Sequence, residues 1–271
     1  MDCQYWQSIN PEVSAIRVGL VWTIGSRLGR RMSRIAYDGQ NAAAFAGTRH
    51  LAAAALDVWR AAVGRHLPPA QGLRLLDLGS GTGAWARAFA DTYDVIAVEP
   101  SDAMRARSEH PHVMIGDAAH IPLADASVDG VWLSTVVHHV PDLVRAAHEI
   151  RRVLRPGGPV LIRSAFAGRH DAITLFRFFP EAIRVLDSYP SAASVQEAFG
   201  AAGFAVAAFE QIPQCTAVSL RDFAARLRRA AHTPLQLITD AEYAAGLARL
   251  HAAADQVDGP VIDALDLLVL R

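Results

Sequence analysis

The sequence predicts an α/β domain whose sheet is doubly wound and mostly parallel, with helices on both faces. Two observations predict this fold class. Short apolar runs of strand length alternate with helical segments, and the first of these runs ends at a glycine-rich turn. This alternation is typical of βαβ units, in which a helix returns the chain to the start of the next parallel strand. The length of 271 residues suits one such domain with a small cap.

The apolar runs predict the strands in chain order. Five strands are expected before the middle of the chain, at residues 73–78, 94–98, 112–116, 128–134 and 159–164. Two more are expected near the C-terminus, at residues 204–212 and 261–270.

The segments between these runs have helical composition, and two of them carry clear boundary signals. Ser101 and Asp102 predict the cap of a helix that continues to about Ser108, and a helix over 142–154 is stopped by the Pro-Gly-Gly stretch that follows. Further helices are expected at residues 82–90, 192–202, 220–231 and 240–254.

Outside the predicted sheet lie an N-terminal extension, residues 1–36, and an aromatic-rich insert at about 167–191 that we expect to form the cap of the domain over residues 37–271. The extension is either a poorly ordered leader or a helix over the site, anchored by Trp6 and Trp22. Its apolar run over 18–24 is too short to span a bilayer and no cleavage site follows it, which predicts a cytoplasmic protein without a membrane partner.

The glycine-rich turn reads Gly79-Ser80-Gly81-Thr82-Gly83. By itself it fits a dinucleotide or another nucleoside. Glu99 follows Gly79 by 20 residues, the interval expected for an acid that binds ribose hydroxyls in both cases. A triphosphate-binding loop is excluded, because all 26 basic residues are arginines and the Gly-Lys-Ser/Thr sequence is absent.

The residues at the ends of the other strands decide between a dinucleotide and another nucleoside as the ligand. Asp77 precedes the glycines, Asp117 ends the third strand, LSTVVHHVPD ends the fourth, and RRVLRPGG leads into the fifth. Together these motifs resemble the class I S-adenosylmethionine-dependent methyltransferases of the small-molecule type, similar to methyltransferase type 11. The resemblance covers roughly residues 37–164, and it implies a Rossmann-like, seven-stranded sheet with a small cap over the C-terminal strand ends.

The resemblance also implies S-adenosyl-L-methionine as cofactor and assigns its contacts. Asp77 suits the ligand's ammonium group, and Glu99 suits the ribose hydroxyls. Asp117, beside the Ala118 amide, suits the adenine amine, and Met104 would pack on the adenine face. The segment AYDGQNAAAFAGTR, residues 36–49, resembles the entry segment of the family, with Tyr37 over the sulfonium and Arg49 at the carboxylate. The remaining expected cofactor contacts are Gly79, Ser80, Gly81, Gly83, Pro100 and Ser134.

His138 and His139 are the candidate catalytic residues. A methyl transfer needs the acceptor aligned with the donor, and a base helps when the acceptor must lose a proton. Imidazole suits that task near neutral pH. Similar enzymes use the first histidine of this pair, which favours His138, although many relatives keep such histidines for structure. Some relatives orient this histidine with an acid after the fifth strand, and Arg163-Ser164-Ala165 lacks one.

The acceptor is expected to be a small, apolar or aromatic molecule of secondary metabolism, methylated at O, N or C. Phe176, Phe178, Phe179 and Tyr189 of the insert either line its pocket or form the core of the cap. Two alternatives stay open: a tRNA-modifying methyltransferase and a non-catalytic S-adenosylmethionine-binding protein. The net charge of -1 argues against a nucleic-acid partner. The histidines show no metal-ligand spacing, and a monomer or a homodimer is equally compatible with the sequence.

Overall fold

The computed structural model describes residues 53–271, and strands and helices are numbered from that start. Within these residues seven strands form one sheet. The strands are β1 (Arg74–Leu78), β2 (Asp94–Val98), β3 (Val113–Met114), β4 (Gly130–Ser134), β5 (Val160–Ser164), β6 (Val206–Ala217) and β7 (Val261–Leu270).

Ten α-helices lie in the described part of the chain. They are α1 (Ala53–His66), α2 (Ala84–Phe89), α3 (Asp102–Arg105), α4 (Leu143–Val153), α5 (Thr174–Phe178), α6 (Ile183–Leu186), α7 (Ala192–Gly200), α8 (Leu220–Arg226), α9 (Thr233–Gln236) and α10 (Asp240–Ala254). Short 3₁₀ turns occur at Val137–His139, Pro180–Ala182 and Arg229–Ala231.

The strand order is β3-β2-β1-β4-β5-β7-β6. Strands β1 to β5 are parallel, and β7 is antiparallel to both β5 and β6. The predicted fold class, an α/β domain with a mostly parallel seven-stranded sheet, is therefore confirmed. The order reverses between β1 and β4, and in open α/β sheets a ligand crevice lies at such a point, outside the carboxyl ends of the strands.

Two apolar layers cover the sheet. On one face, Ile150 of α4 and Val195 of α7 pack against Val131 of β4 and other strand residues. On the other face, Trp59 of α1 and Phe89 of α2 pack against Trp132. Because neighbouring strand residues point to opposite faces, β4 supplies both layers, as a buried parallel strand must.

The cap is a separate apolar cluster with two sources in the chain. One segment contains α5 and α6, which lie in the predicted insert. The other contains α8, α9 and α10, and Leu235 and Leu250 from this second segment pack with Phe179 from the first. The sequence analysis expected cap residues at about 167–191; the structure adds the second segment. Asp263 of β7 joins the first segment to the sheet by accepting a hydrogen bond from the Thr174 backbone N–H at 2.7 Å. It also accepts one at 2.9 Å from the hydroxyl of Thr216 in β6, the strand that leads into the second segment.

Strand β6 is longer than predicted. The expected strand ended at residue 212, before Pro213, whereas the structure continues it to Ala217. Proline is tolerated because β6 is the edge strand, where a missing N–H breaks no second ladder. Among the helices of residues 53–271, none is long and apolar enough to cross a membrane. The predicted extension over residues 1–36, including Trp6 and Trp22, lies outside the described residues.

Candidate active site

A cavity of about 350 Å³ lies at the carboxyl ends of β1 and β4, where the strand order reverses. Its volume falls in the range of small-molecule sites. Nine of the predicted cofactor and catalytic residues line it: Gly79, Gly81, Glu99, Pro100, Met104, Asp117, Ala118, Ser134 and His139. The structure therefore brings together residues that end four different strands or begin the turns after them.

The glycine turn is fixed against the neighbouring strand. The backbone N–H groups of Gly79 and Ser80 both donate to the carbonyl of Val98, at 2.8 and 3.1 Å. Gly79 has φ of 74°, and a Cβ placed on it would lie 2.8 Å from the Val136 side chain. Glycine is required here both by the backbone conformation and by the close approach of the turn after β4.

Glu99 joins two turns of the site. Its Oε2 accepts a hydrogen bond from the Gly81 backbone N–H at 2.9 Å, and its Oε1 accepts one from the Ser101 backbone N–H at 2.8 Å. Burial raises the pKa of this carboxyl, against the effect of these two donors. Each carboxylate oxygen has a second lone pair, so both can still accept from a ligand hydroxyl in the cavity.

Asp77 is a buried acceptor under the glycine turn. Burial raises the pKa of its carboxyl to about 7; the Ala86 backbone hydrogen bond opposes the rise and the charge of Glu99 adds to it. Its Oδ2 has no hydrogen-bond partner in the described part of the chain, and neither does the buried hydroxyl oxygen of Ser80. A native structure rarely leaves such atoms unpaired, which points to a ligand or solvent donor at this place.

Met104 and Asp117 form another part of the cavity wall. Met104 is buried in the cavity wall. Asp117 uses Oδ1 to accept from the Ala119 backbone N–H at 2.8 Å, which closes a tight turn and holds the carboxylate at the rim. An apolar face beside an acceptor at the rim can receive a purine ring and its exocyclic amine.

The two candidate catalytic histidines have different surroundings. Both belong to the 3₁₀ turn after β4. His139 lines the cavity, whereas His138 is buried next to it, and their ring centroids are 4.0 Å apart. His138 also stacks on Tyr189 of the cap, with ring centroids 4.1 Å apart and planes within 6°. His138 therefore lies on the cap side of the cavity.

Several expected residues are placed elsewhere. Phe176, Phe178 and Phe179 are buried in the apolar core of the cap, which favours the core interpretation over the pocket interpretation. Gly83 is the N-cap of α2, with φ of 78°. Like Asp77 and Ser80, it is absent from the cavity lining. Tyr37 and Arg49 lie outside the described residues.

Sequence reasoning missed the turn after β4 as part of the cavity wall. Thr135, Val136, Val140 and Pro141 all line it. Thr135 has a positive φ of 56°, uncommon for a residue other than glycine, and its backbone N–H donates to the Arg163 carbonyl at 2.7 Å. Nothing in the local sequence VVHHV distinguishes a wall from a core segment.

Arg163, near the end of β5, is buried in the sheet. Its guanidinium lies over the rings of Trp59 and Trp85, 4.8 and 5.2 Å from their centroids. It donates to the Ser134 hydroxyl and the Gln214 side chain, each at 3.2 Å. Arg163 supports the cavity through Ser134, and contact with a substrate in the cavity is not its observed role.

The cavity residues fit a nucleoside that carries an amino-acid group. Asp77 and Ser80 adjoin the lining residues Leu78 and Gly79 in the chain, and their buried oxygens without a partner among residues 53–271 suit an ammonium or hydroxyl donor. The Glu99 carboxylate suits a ribose, and Met104 with Asp117 suits an adenine. S-adenosylmethionine has these groups in this order. The residues present thus fit the cofactor that the sequence motifs imply.

Comparison with known proteins gives an independent result. Residues 76–162 match the family model described as a methyltransferase domain. An uncharacterized methyltransferase of Mycobacterium bovis is 43% identical over 97 residues, 34% of this chain and 40% of that protein. Demethylmenaquinone methyltransferase of Staphylococcus aureus is 33% identical over 115 residues, 38% of this chain and 48% of that protein. The matched region spans less than half the length of these curated relatives.

Solved structures share the fold over a larger part of the chain. A presumed methyltransferase of an antibiotic biosynthesis pathway from Anabaena variabilis has a TM-score of 0.62 at 23% identity, covering 78% of this chain and 95% of that one. Phosphoethanolamine N-methyltransferase 2 of Haemonchus contortus, solved with phosphomonomethylethanolamine and S-adenosylhomocysteine, has a TM-score of 0.51 at 22% identity, covering 78% and 51%. At these identities the likeness shows the fold alone.

Proposed function

We propose that this chain is an S-adenosylmethionine-dependent methyltransferase that acts on a small molecule, a proposal supported by the match of residues 76–162 to a methyltransferase family model. One observation carries the proposal. The cavity at the reversal of strand order is lined by Glu99 and Asp117, whose carboxylates can accept hydrogen bonds, and by the glycine turn. When bound there, S-adenosylmethionine supplies an activated methyl group.

In this proposal, different residues in and beside the cavity bind different parts of the cofactor. Asp77 and Ser80, whose buried oxygens have no hydrogen-bond partner in the part of the chain that the structure describes, receive the ammonium end. Glu99 accepts from the ribose hydroxyls while the Gly81 and Ser101 backbone N–H groups hold it in place. Met104 and Asp117 receive the adenine. The charge-assisted hydrogen bonds at Asp77 and Glu99 provide most of the specificity for a nucleoside with an amino-acid group.

The acceptor approaches from the cap. His139 forms part of the cofactor cavity, and His138 lies between His139 and the cap residue Tyr189. A base on the cap side can take a proton from an acceptor hydroxyl or amine as the methyl group is transferred, so His138 remains the proposed base. Alignment of the acceptor by the cap provides the larger part of the rate enhancement.

A small-molecule acceptor is supported by the relatives and by the charge of the chain. Demethylmenaquinone, in the name of one relative, is such a molecule. A net charge of -1 gives no electrostatic attraction to a nucleic acid, whose binding is dominated by phosphate contacts.

Calorimetric titration with S-adenosylmethionine, S-adenosylhomocysteine and NAD tests the cofactor assignment. Micromolar binding of the first two without binding of NAD is expected. Binding of NAD alone would replace the proposal with a dinucleotide-dependent activity. Transfer of a labelled methyl group to a panel of quinones, phenols, amines and bulk tRNA then separates the acceptor classes. Binding without transfer to any acceptor would favour a non-catalytic role, since a fold can serve several functions.

A further inference from the structure

We infer that Tyr189 is a positioning residue for the proposed base, holding the His138 imidazole in one plane from the cap side. This inference rests on the proposed function for its catalytic meaning. The observation behind it is geometric: the Tyr189 and His138 rings are 4.1 Å apart at their centroids and within 6° of parallel. Parallel contact over a whole ring restricts rotation of the imidazole about its side-chain bonds.

Tyr189 is itself fixed at both ends of its turn. Its backbone N–H donates to the Leu186 carbonyl at 2.9 Å, and the preceding Asp187 accepts from the Gly168 backbone N–H at 3.0 Å. The carbonyl of the next residue, Pro190, accepts from the Ala167 backbone N–H at 3.4 Å. The turn that carries Tyr189 is therefore attached both to α6 of the cap and to the segment that leaves β5.

Tyr189 also packs, as a half-buried residue, against the apolar core of the cap. Because the Tyr189 ring contacts both the apolar core of the cap and the His138 imidazole, the position of the cap affects the position of His138. His139, with its centroid 4.0 Å from that of His138, extends the contact to the cavity wall. Three rings thus connect the cap to the cofactor cavity.

This arrangement provides orientation without a carboxylate from β5. The residues that end β5 and follow it, Arg163, Ser164 and Ala165, contain no acid. A base must keep its ring nitrogen aimed at the acceptor, and a small misplacement lowers the rate strongly. Stacking by Tyr189 fixes the plane of His138 through ring contact, so the aromatic ring is the part of Tyr189 that this role requires.

Tyr189→Leu and Tyr189→Phe form the matched pair for the test. The readouts are the NMR signals of the His138 ring protons in histidine-labelled protein, assigned with His138→Gln, the affinity for S-adenosylhomocysteine, and the rate of methyl transfer. In the wild type and in Tyr189→Phe, the ring protons of His138 are expected to be shifted upfield by the stacked ring. In Tyr189→Leu this shift is lost, kcat falls about tenfold, and the affinity stays within twofold.

The outcomes separate this inference from the proposed function. Absence of S-adenosylhomocysteine binding in all three proteins would overturn the proposed function, while the His138 signals would still decide the placement of Tyr189. Unchanged His138 signals in Tyr189→Leu, or a Phe variant as slow as the Leu variant, would overturn the positioning role. If Tyr189→Leu does not fold, nuclear Overhauser contacts between the Tyr189 and His138 rings in the unaltered protein decide instead: their presence supports the stack and their absence refutes it.

Discussion

The Glu99 carboxylate accepts a hydrogen bond from the backbone N–H of Gly81 at 2.9 Å. One side chain at the end of β2 thereby holds the turn that follows β1. The same carboxylate accepts from Ser101, so it fixes the entrance to α3 as well. A ligand that binds Glu99 is consequently in contact with three segments of the cavity through one residue.

Replacing Glu99 by alanine is expected to weaken S-adenosylmethionine binding at least tenfold, equivalent to about 1.4 kcal/mol or more, because charged hydrogen bonds are lost. Calorimetric titration measures the change. Glu109→Ala is the matched control: Glu109 forms a surface ion pair with Arg87 and is absent from the cavity lining, so its loss should leave the affinity within twofold. An unchanged affinity in Glu99→Ala would remove Glu99 from the site.

Gly79→Ala and Gly72→Ala test the close approach of the glycine turn to Val136. The two glycines have nearly the same φ, 74° and 77°, so alanine costs each about 1–2 kcal/mol of backbone strain. A Cβ at residue 72 meets nothing within 4 Å, whereas one at residue 79 lies 2.8 Å from Val136. Urea denaturation should therefore show a larger loss of stability for Gly79→Ala. Only that variant should lose cofactor affinity; equal effects would contradict the role of the contact.

Asp77 is expected to make the stability of the ligand-free protein fall with increasing pH. Its folded-state pKa of about 7 lies above the ordinary value of 3.8, so the folded protein binds this proton more tightly than the unfolded chain. The stability that the group contributes is fully present below about pH 4 and is lost as the pH rises to about 7. Relative to wild type, Asp77→Asn should gain roughly 2 kcal/mol between pH 5 and pH 8. Parallel urea curves of both proteins at the two pH values check this difference.

The same carboxyl predicts proton release when the cofactor binds. An ammonium group beside Asp77 favours its ionised form, so binding near pH 6.5 should release a proton and affinity should increase up to about pH 7. Titrations in buffers of different ionisation enthalpy measure the proton count. Asp77→Asn should release fewer protons, although Glu99, whose pKa is also raised, remains in both proteins. Identical release in the two proteins would place the ammonium group elsewhere.

His138→Ala is expected to lower the rate of methyl transfer about a hundredfold, with cofactor affinity nearly intact, because a positioned base contributes about this factor. His139→Ala should change cofactor affinity as well, since His139 lines the cavity. His148→Ala, on the exposed side of α4, is the control and should match wild type. A rate for His138→Ala within threefold of wild type would make His138 a structural residue.

The sequence predicted the parts of the fold whose signals are local. Strands β2 and β7 have the predicted bounds, since an apolar run between polar turns defines each of them. The extension of β6 past Pro213 could not be predicted, because proline is acceptable only on an edge strand and the strand order was unknown. The contribution of the second segment to the cap could not be predicted either, because the sequence of an apolar helix face does not indicate which part of the protein packs against it.

For the candidate site, the sequence motifs predicted individual cavity residues, but they did not predict which other residues surround them. The cavity contains Glu99 and Asp117 as the motifs predict. The ring contact between His138 and Tyr189 depends on how the cap folds over the sheet, and no spacing in the sequence encodes it. The burial of Arg163 under Trp59 and Trp85 is a tertiary effect of the same kind.

The two hydrogen bonds that Asp263 accepts, one from the first cap segment and one from β6, matter for redesign of the molecule. Thr174 opens the first segment and Thr216 precedes the second, and each is hydrogen-bonded to this one carboxylate. A library that varies α5, α6, α8 and α10 while retaining Asp263, Thr174 and Thr216 would leave β1 to β5 and the nucleoside cavity unaltered. Acceptor preference could then be exchanged as a module, with the start of the first segment and the end of β6 both held by the same aspartate.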